Sequence, residues 1–399
     1  MAFYADEVRS RIEPLFRENF EKFDELGASI SIWQNGRALL DLSGGFRDAS
    51  REKRWANDTL VLIWSATKGL ASACLLHALQ ENKREIGERV SEFWPKFAQG
   101  GKGEITLAQL LSHQAGLATL DRAVDIREYD SIIEAIEQQT PNWAPGSAHG
   151  YHARTFGFLI DELVRRIAGC SVAEYWRKMF ADLLGLDLWI GLPAKEEARV
   201  ASIYAPKAAK QPTPQSRQSD SDFYKDVITP GTFANKVFTS PQGLVAVSLM
   251  NKPEIRALPI ASFGGIGSGH ALAKFYAMLA NRGELEDRQF FVAKTLSWMT
   301  KTLTNGIDRV FQIPTAFSAG FMKNSAAPEN MTGLTGQVFG SRLFGRSKAA
   351  FGQPGAGGSH AFADPENRIA FAYVMNQMEQ HVLPNEKSLR IIDAIYAAL

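Results

Sequence analysis

The chain carries no excess of either charge: 44 Lys and Arg stand against 43 Asp and Glu, a formal net charge of +1. No sustained Lys/Arg block breaks that balance, so nothing favours nucleic acid or an anionic membrane as a partner. Two cysteines, Cys74 and Cys170, do not make a disulfide framework. Cys74 falls inside an apolar stretch and reads as a buried free thiol. The seven histidines include no His-x-x-x-His and no His-Glu-x-x-His, which leaves a metal centre without support. Gly264-Gly265-Ile266-Gly267 lacks the strand-turn-helix setting and downstream acid of a dinucleotide loop, and no cofactor is expected. No apolar run is long enough to span a bilayer. Met1 to Glu7 lacks the basic-then-apolar order of a secretory leader. The expectation is a cytoplasmic protein with no membrane span, monomer or homodimer.

What is present is an ordinary globular composition, 45% hydrophobic and 22% charged over 399 residues, enough to bury a large core. Glu7 to Leu26 has a helical rhythm that Gly27 ends. Residues 29–33 alternate, Asn35-Gly36 is a hairpin turn, and Ala38 to Leu42 supplies the return strand. The middle is largely helical: Gly69 to Leu79, Leu107 to Ser112 behind a Thr106/Gln109 capping box, Thr155 to Ile167, and a start at Ser171 with Glu174. Residues 205–234, rich in Pro, Gln, Ser, Asp and Lys, read as a long surface excursion, either a lid or a decoration. Helical pattern resumes at Ser268 to Leu279 and Phe290 to Thr300. Strands are expected at Thr315 to Met322, Gly336 to Phe344, Gly358 to Ala363 and Ile369 to Met375, before an amphipathic helix from Ser388 to Leu399. Short turns between successive strands favour antiparallel pairing. The expected fold is therefore α+β, an α/β sandwich. An antiparallel sheet from residues 1–60 plus 310–399 is flanked by the terminal helices, with a mostly helical region at 61–309 and an active site between the two.

Ser65-Ala66-Thr67-Lys68 opens the buried helix of that middle region. A serine and a lysine three apart share one helix face. The helix N-terminus favours negative charge near the hydroxyl, and burial disfavours the ammonium, so the amine is a plausible base. The same residues also suit a helix-capping serine and a snorkelling lysine. Ser50-Arg51-Glu52-Lys53 fits the same four-residue pattern, but it sits in a polar stretch with no apolar helix to anchor it.

Further motifs follow in order: Leu110-Leu111-Ser112-His113-Gln114-Ala115-Gly116-Leu117, Trp143-Ala144-Pro145-Gly146, Tyr151-His152-Ala153, Phe263 to Ser268, and Phe351-Gly352-Gln353-Pro354-Gly355-Ala356-Gly357-Gly358-Ser359. With Ser65 to Lys68 this series resembles the serine beta-lactamase and penicillin-binding protein superfamily, in its class C-like branch, nearest the family VIII carboxylesterases. The resemblance runs from about residue 10 to the C-terminus and implies a beta-lactamase/transpeptidase-like fold. It implies Ser65 as acylated nucleophile, Lys68 as its base and Tyr151 as a second general base, with an oxyanion hole from the N–H groups of Ser65 and Ala356. Glycines at 355, 357 and 358 would let substrate approach the backbone closely.

Two departures narrow the expectation. Ala153 replaces the asparagine of the Tyr-x-Asn element. Gln353-Pro354-Gly355 offers no cation where relatives carry lysine or histidine, so Gln353 can hydrogen-bond but cannot hold a carboxylate by charge. Both favour a short-chain carboxylic ester as the small-molecule substrate. A β-lactam or D-amino-acid peptide, acyl transfer, and a non-catalytic ligand-binding scaffold stay as alternatives. Gln353, Gly355, Trp143, Phe317 and the 205–234 excursion are expected to shape the pocket. His152 either lines it or bonds a backbone group, and His113 is expected to be structural.

Overall fold

The computed structural model describes residues 5–207, 218–325, 343–380 and 383–398. At its centre lies an eight-stranded sheet. Its order is Arg37–Gly45, Gly27–Gln34, Ile369–Met375, His360–Asp364, Phe351–Pro354, Met322–Lys323, Pro314–Phe317 and Thr304–Ile307, with every neighbour antiparallel. Strands from the two ends of the chain therefore pair with each other within the sheet, as Ile30 opposite Tyr373 shows. All seven residues of Ile369–Met375 are buried. That explains a sequence without alternation, because both faces are covered.

Alternate side chains identify the two covers. On one face the Tyr373 hydroxyl accepts from Asn19 Nδ2 (3.3 Å), and His360 bonds Ser388 (3.0 Å). These contacts tie the sheet to the paired terminal helices Ala5–Lys22 and Glu386–Ala397. On the other face the Gly269–Ala280 helix packs on the strands at Ser29 and Val374. The large, mostly helical insertion follows the first hairpin, and its Thr67–Glu81 and Thr155–Ala168 helices pack together. A three-stranded sheet, Val61–Leu62 beside Gly265–Gly267 beside Leu188–Ile190, lies next to the Thr67–Glu81 helix start. Both expected capping boxes form, Thr106 with Gln109 and Ser171 with Glu174. Cys74 is buried in its helix as a free thiol.

Two expectations need correction, and a third falls mostly outside the described residues. The strand at Thr315 to Met322 is two strands, Pro314–Phe317 and Met322–Lys323, joined by a turn in which Ser318 N donates to Phe321 O (2.9 Å). Gly320 makes it possible by taking φ of +82°. The 205–234 excursion is not wholly irregular. Gln218–Ile228 is helical, and Thr232 caps a second helix, Phe233–Thr239, by accepting from Asn235 N at 3.2 Å. Its periodicity looks weak because Phe223 is the single apolar residue of the first helix that is buried. The Gly336 to Phe344 strand lies mostly outside the described residues, and Leu343 and Phe344 form a turn.

Candidate active site

The strand Val61–Leu62 delivers the chain to a turn of 3₁₀ helix, Trp64–Ala66, which runs straight into the Thr67–Glu81 helix. Ser65 stands in this turn. Trp64 holds a left-handed φ of +49°, a strained state for a bulky residue. Its neighbours enforce it: the Thr67 hydroxyl donates to Trp64 O (2.5 Å) and accepts from Gly265 N (2.8 Å). The indole stacks on Phe263 at 6.3 Å. The result is a half-buried hydroxyl at the mouth of a helix buried from Thr67 through Leu79.

Lys68 is fully buried. Its Nζ lies 2.8 Å from Ala153 O, 2.8 Å from Ser262 O and 3.3 Å from Ser65 Oγ. Burial alone drives its amine well below the usual lysine range. A neutral amine has two N–H bonds, and the two carbonyls accept both. The remaining lone pair then faces the Ser65 hydroxyl, the arrangement a general base requires. Ser262 is itself pinned, its hydroxyl donating to Arg154 O (2.5 Å) and accepting from Gly157 N (2.9 Å). A Cβ at Gly157 would run into Ser262 N and Oγ. Gly157→Ala, a change that gains about 1 kcal/mol in an ordinary helix, is therefore expected to cost about 1–3 kcal/mol by overpacking. Thermal melting checks this; a raised Tm would show that the Ser262 segment yields freely.

Tyr151 comes from a loop held at three successive N–H groups. Gly150 N donates to His113 O (3.1 Å), Tyr151 N to Asp308 Oδ1 (3.2 Å) and His152 N to His113 Nδ1 (3.2 Å). The phenol ring stacks on Phe311 (4.8 Å) and lies 4.9 Å from Lys68 Nζ. Burial raises its pKa, while the Ser65 hydroxyl beside it pulls the other way. A neutral phenol, a proton donor in waiting, is the resting form.

Ser65, Tyr151 and Ala356 line a cleft of about 30 Å³ whose walls are Phe238, Phe311, Met322 and Pro354. Ala356 sits in the loop after Phe351–Pro354. Among the described residues neither its N–H nor that of Ser65 is taken by a backbone carbonyl. Other expected pocket residues stand elsewhere. Gln353 is fully buried and donates its amide to Gly320 O (3.2 Å), while its neighbour Pro354 lines the cleft. Gly355 has a reason other than substrate approach: a Cβ there would strike Ile63 O. Phe317 is fully buried against Tyr151 and His113. Trp143 gives its indole N–H to Ala148 O (3.1 Å) and packs on His152. His152 spends both nitrogens on backbone, Nδ1 with Gly150 O (2.7 Å) and Nε2 accepting from Leu117 N (2.9 Å). Burial lowers its pKa to about 4, so it stays neutral. His113 is likewise buried and packed beside Tyr151, as expected of a structural residue. Ser50 is exposed and donates to Asp48 (2.8 Å), far from any helix start.

Sequence reasoning missed Phe238, Phe311, Met322 and Pro354 as walls. Phe238 ends the excursion's second helix, and together with Phe223 and Phe311 it forms an aromatic cluster with centroid separations of 5.6–6.5 Å. Among the described residues no His/Cys/Asp/Glu cluster suits a metal ion, and no helix is long and apolar enough to cross a membrane.

The geometry has counterparts in known proteins. The chain is 28% identical over 361 residues to "Esterase/beta-lactamase LipL" of Mycobacterium tuberculosis, covering 88% of this chain and 77% of the relative. The solved structure of a family VIII carboxylesterase superposes with a TM-score of 0.85 at 31% identity, over 100% of this chain and 99% of the other. A penicillin-binding protein homologue from Caulobacter crescentus gives 0.83 at 32% identity with the same coverage. The Beta-lactamase family model matches residues 16–395, nearly the whole length over which the fold has been described, and the chain belongs to that family of serine-hydrolase-like proteins.

Proposed function

We propose that this protein is a serine carboxylesterase that hydrolyses short-chain carboxylic esters through an acyl-enzyme on Ser65. The observation that carries this reading is the Lys68 amine, buried with no carboxylate bonded to it among the described residues and 3.3 Å from Ser65 Oγ. Lys68 takes the serine proton as Oγ attacks the ester carbonyl. The N–H groups of Ser65 and Ala356 receive the developing oxyanion. Tyr151 gives its phenol proton to the departing alkoxide and regains one from the Lys68 ammonium. Water then enters, Lys68 or Tyr151 takes its proton, and the acid is released with Ser65 restored.

Size and charge support the choice of substrate. The cleft is small, about 30 Å³, which favours a short acyl group over a long one. Among the described residues none of its lining side chains is a permanent ion, so none of them repays desolvating a substrate carboxylate. The relatives named as esterases support the same class. One panel with p-nitrophenyl acetate, a chromogenic β-lactam and a D-amino-acid peptide tests the reading; turnover of either amide with none of the ester would overturn it. Phe238→Ala removes one wall. It is expected to raise kcat/KM for p-nitrophenyl octanoate relative to acetate by about tenfold, the order a few methylenes gain in an apolar pocket. An unchanged ratio would place the acyl chain elsewhere.

A further inference from the structure

Asp308 is fully buried, and the reaction above gives it no part. Its Oδ1 accepts three backbone N–H groups: Tyr151 at 3.2 Å, Val310 at 2.7 Å and Phe311 at 3.0 Å. Its Oδ2 accepts the Thr315 hydroxyl at 3.2 Å. A carboxylate can only accept, so Thr315 spends its one proton there. The Thr315 oxygen is then free to accept from His149 Nε2–H at 2.9 Å, and His149 Nδ1 accepts from the Thr304 hydroxyl at 2.9 Å. Burial pushes the Asp308 carboxyl up, while the backbone N–H groups and His149 pull it down; with Asp308 ionised, the network gives the carboxylate four donors and leaves His149 neutral. Charge-assisted bonds of this kind are about twice as strong as neutral ones.

Two of those donors matter to the chemistry. One is the main chain of Tyr151, and another is the main chain of Phe311, whose ring stacks on the phenol at 26° between planes and lines the cleft. We propose that Asp308 is a positioning residue that locks the Tyr151 loop and its stacking partner Phe311 into one unit, holding the phenol over Ser65. This rests on the proton-transfer role read for Tyr151. Neighbouring ties through His113 secure residues 150 and 152, but the N–H of Tyr151 itself bonds the carboxylate. Proton transfer is steep in distance, and a displacement near 1 Å costs about 10²-fold in rate.

The test is a double-mutant cycle on p-nitrophenyl acetate hydrolysis. Asp308→Asn keeps an acceptor for the three N–H groups but loses the charge. Thr315→Val leaves Asp308 intact and removes one of its donors, so it carries the same cycle if the first variant does not fold. In the wild-type background kcat is expected to fall about 10- to 100-fold for Asp308→Asn and a few-fold for Thr315→Val, with KM within about twofold. In a Tyr151→Phe background the further loss should shrink to about twofold or less, because the group being positioned is gone. Equal losses in both backgrounds would mean a merely structural carboxylate and overturn the proposal alone. Wild-type turnover by Tyr151→Phe would overturn the role of Tyr151, and the proposal with it.

Discussion

Ser65→Ala is expected to reduce p-nitrophenyl acetate turnover by about 10⁴-fold or more while leaving the melting temperature close to wild type. The size follows from the step removed. Without Oγ no acyl-enzyme forms, and the remaining groups can only polarise a carbonyl for direct attack by water, which retains a small part of the rate. The fold should tolerate the change, because Ser65 caps no helix. The Thr67–Glu81 helix has Ala66 at its N-cap, and the turn is held by Thr67 and Gly265. Mass spectrometry after a serine-reactive phosphonate should place the adduct on Ser65. An adduct on the exposed Ser50, or unchanged turnover in the alanine variant, would remove Ser65 from the mechanism.

The second large effect belongs to Lys68. Lys68→Arg should lower kcat by about 10³-fold or more, near the top of what a lost general base costs. Arginine keeps length and donors, but its guanidinium does not deprotonate in proteins and offers no lone pair to the serine. It also forces a permanent charge into a site where burial disfavours one. Lys68→Met removes charge and base together and strands the Ala153 and Ser262 carbonyls. Both variants should be inactive, with arginine the less stable of the two. The pH dependence follows the same logic. The reactive amine is the deprotonated form, so activity is lost as pH falls through the Lys68 pKa. Burial lowers that pKa, so the acid limb of kcat/KM should lie well below the ordinary lysine range. An acid limb near pH 10, or an active arginine variant, would end the role of Lys68 as base.

How much was legible in the sequence depends on where each residue's environment is decided. Ser65 and Lys68 are adjacent on one helix, so local geometry brings them together, and the strands at Gly27–Gln34 and Ile369–Met375 announce themselves by composition. The cleft walls are different. Phe238, Phe311 and Met322 come from a short helix, a loop and a two-residue strand, and only tertiary packing places them beside Ser65. Gln353 illustrates a subtler failure. Its motif suggested a substrate contact, but Gly320 O takes its amide and leaves Pro354 at the cleft. Gly320 in turn belongs to a tight turn hidden inside what looked like one continuous strand. Phe317 and Trp143 are aromatic and near the site, yet they pack behind it, which composition cannot distinguish from lining it.

The grip on Lys68 has one more consequence. Where an asparagine side chain was looked for, Ala153 answers with its main-chain oxygen. Every amino acid carries that oxygen, so no codon change at position 153 can delete it; only a shift of the backbone can. Holding a reactive amine through the peptide group makes the tether independent of heredity at that position. The missing carboxamide therefore leaves the amine in place, because the tether does not depend on which side chain stands at position 153.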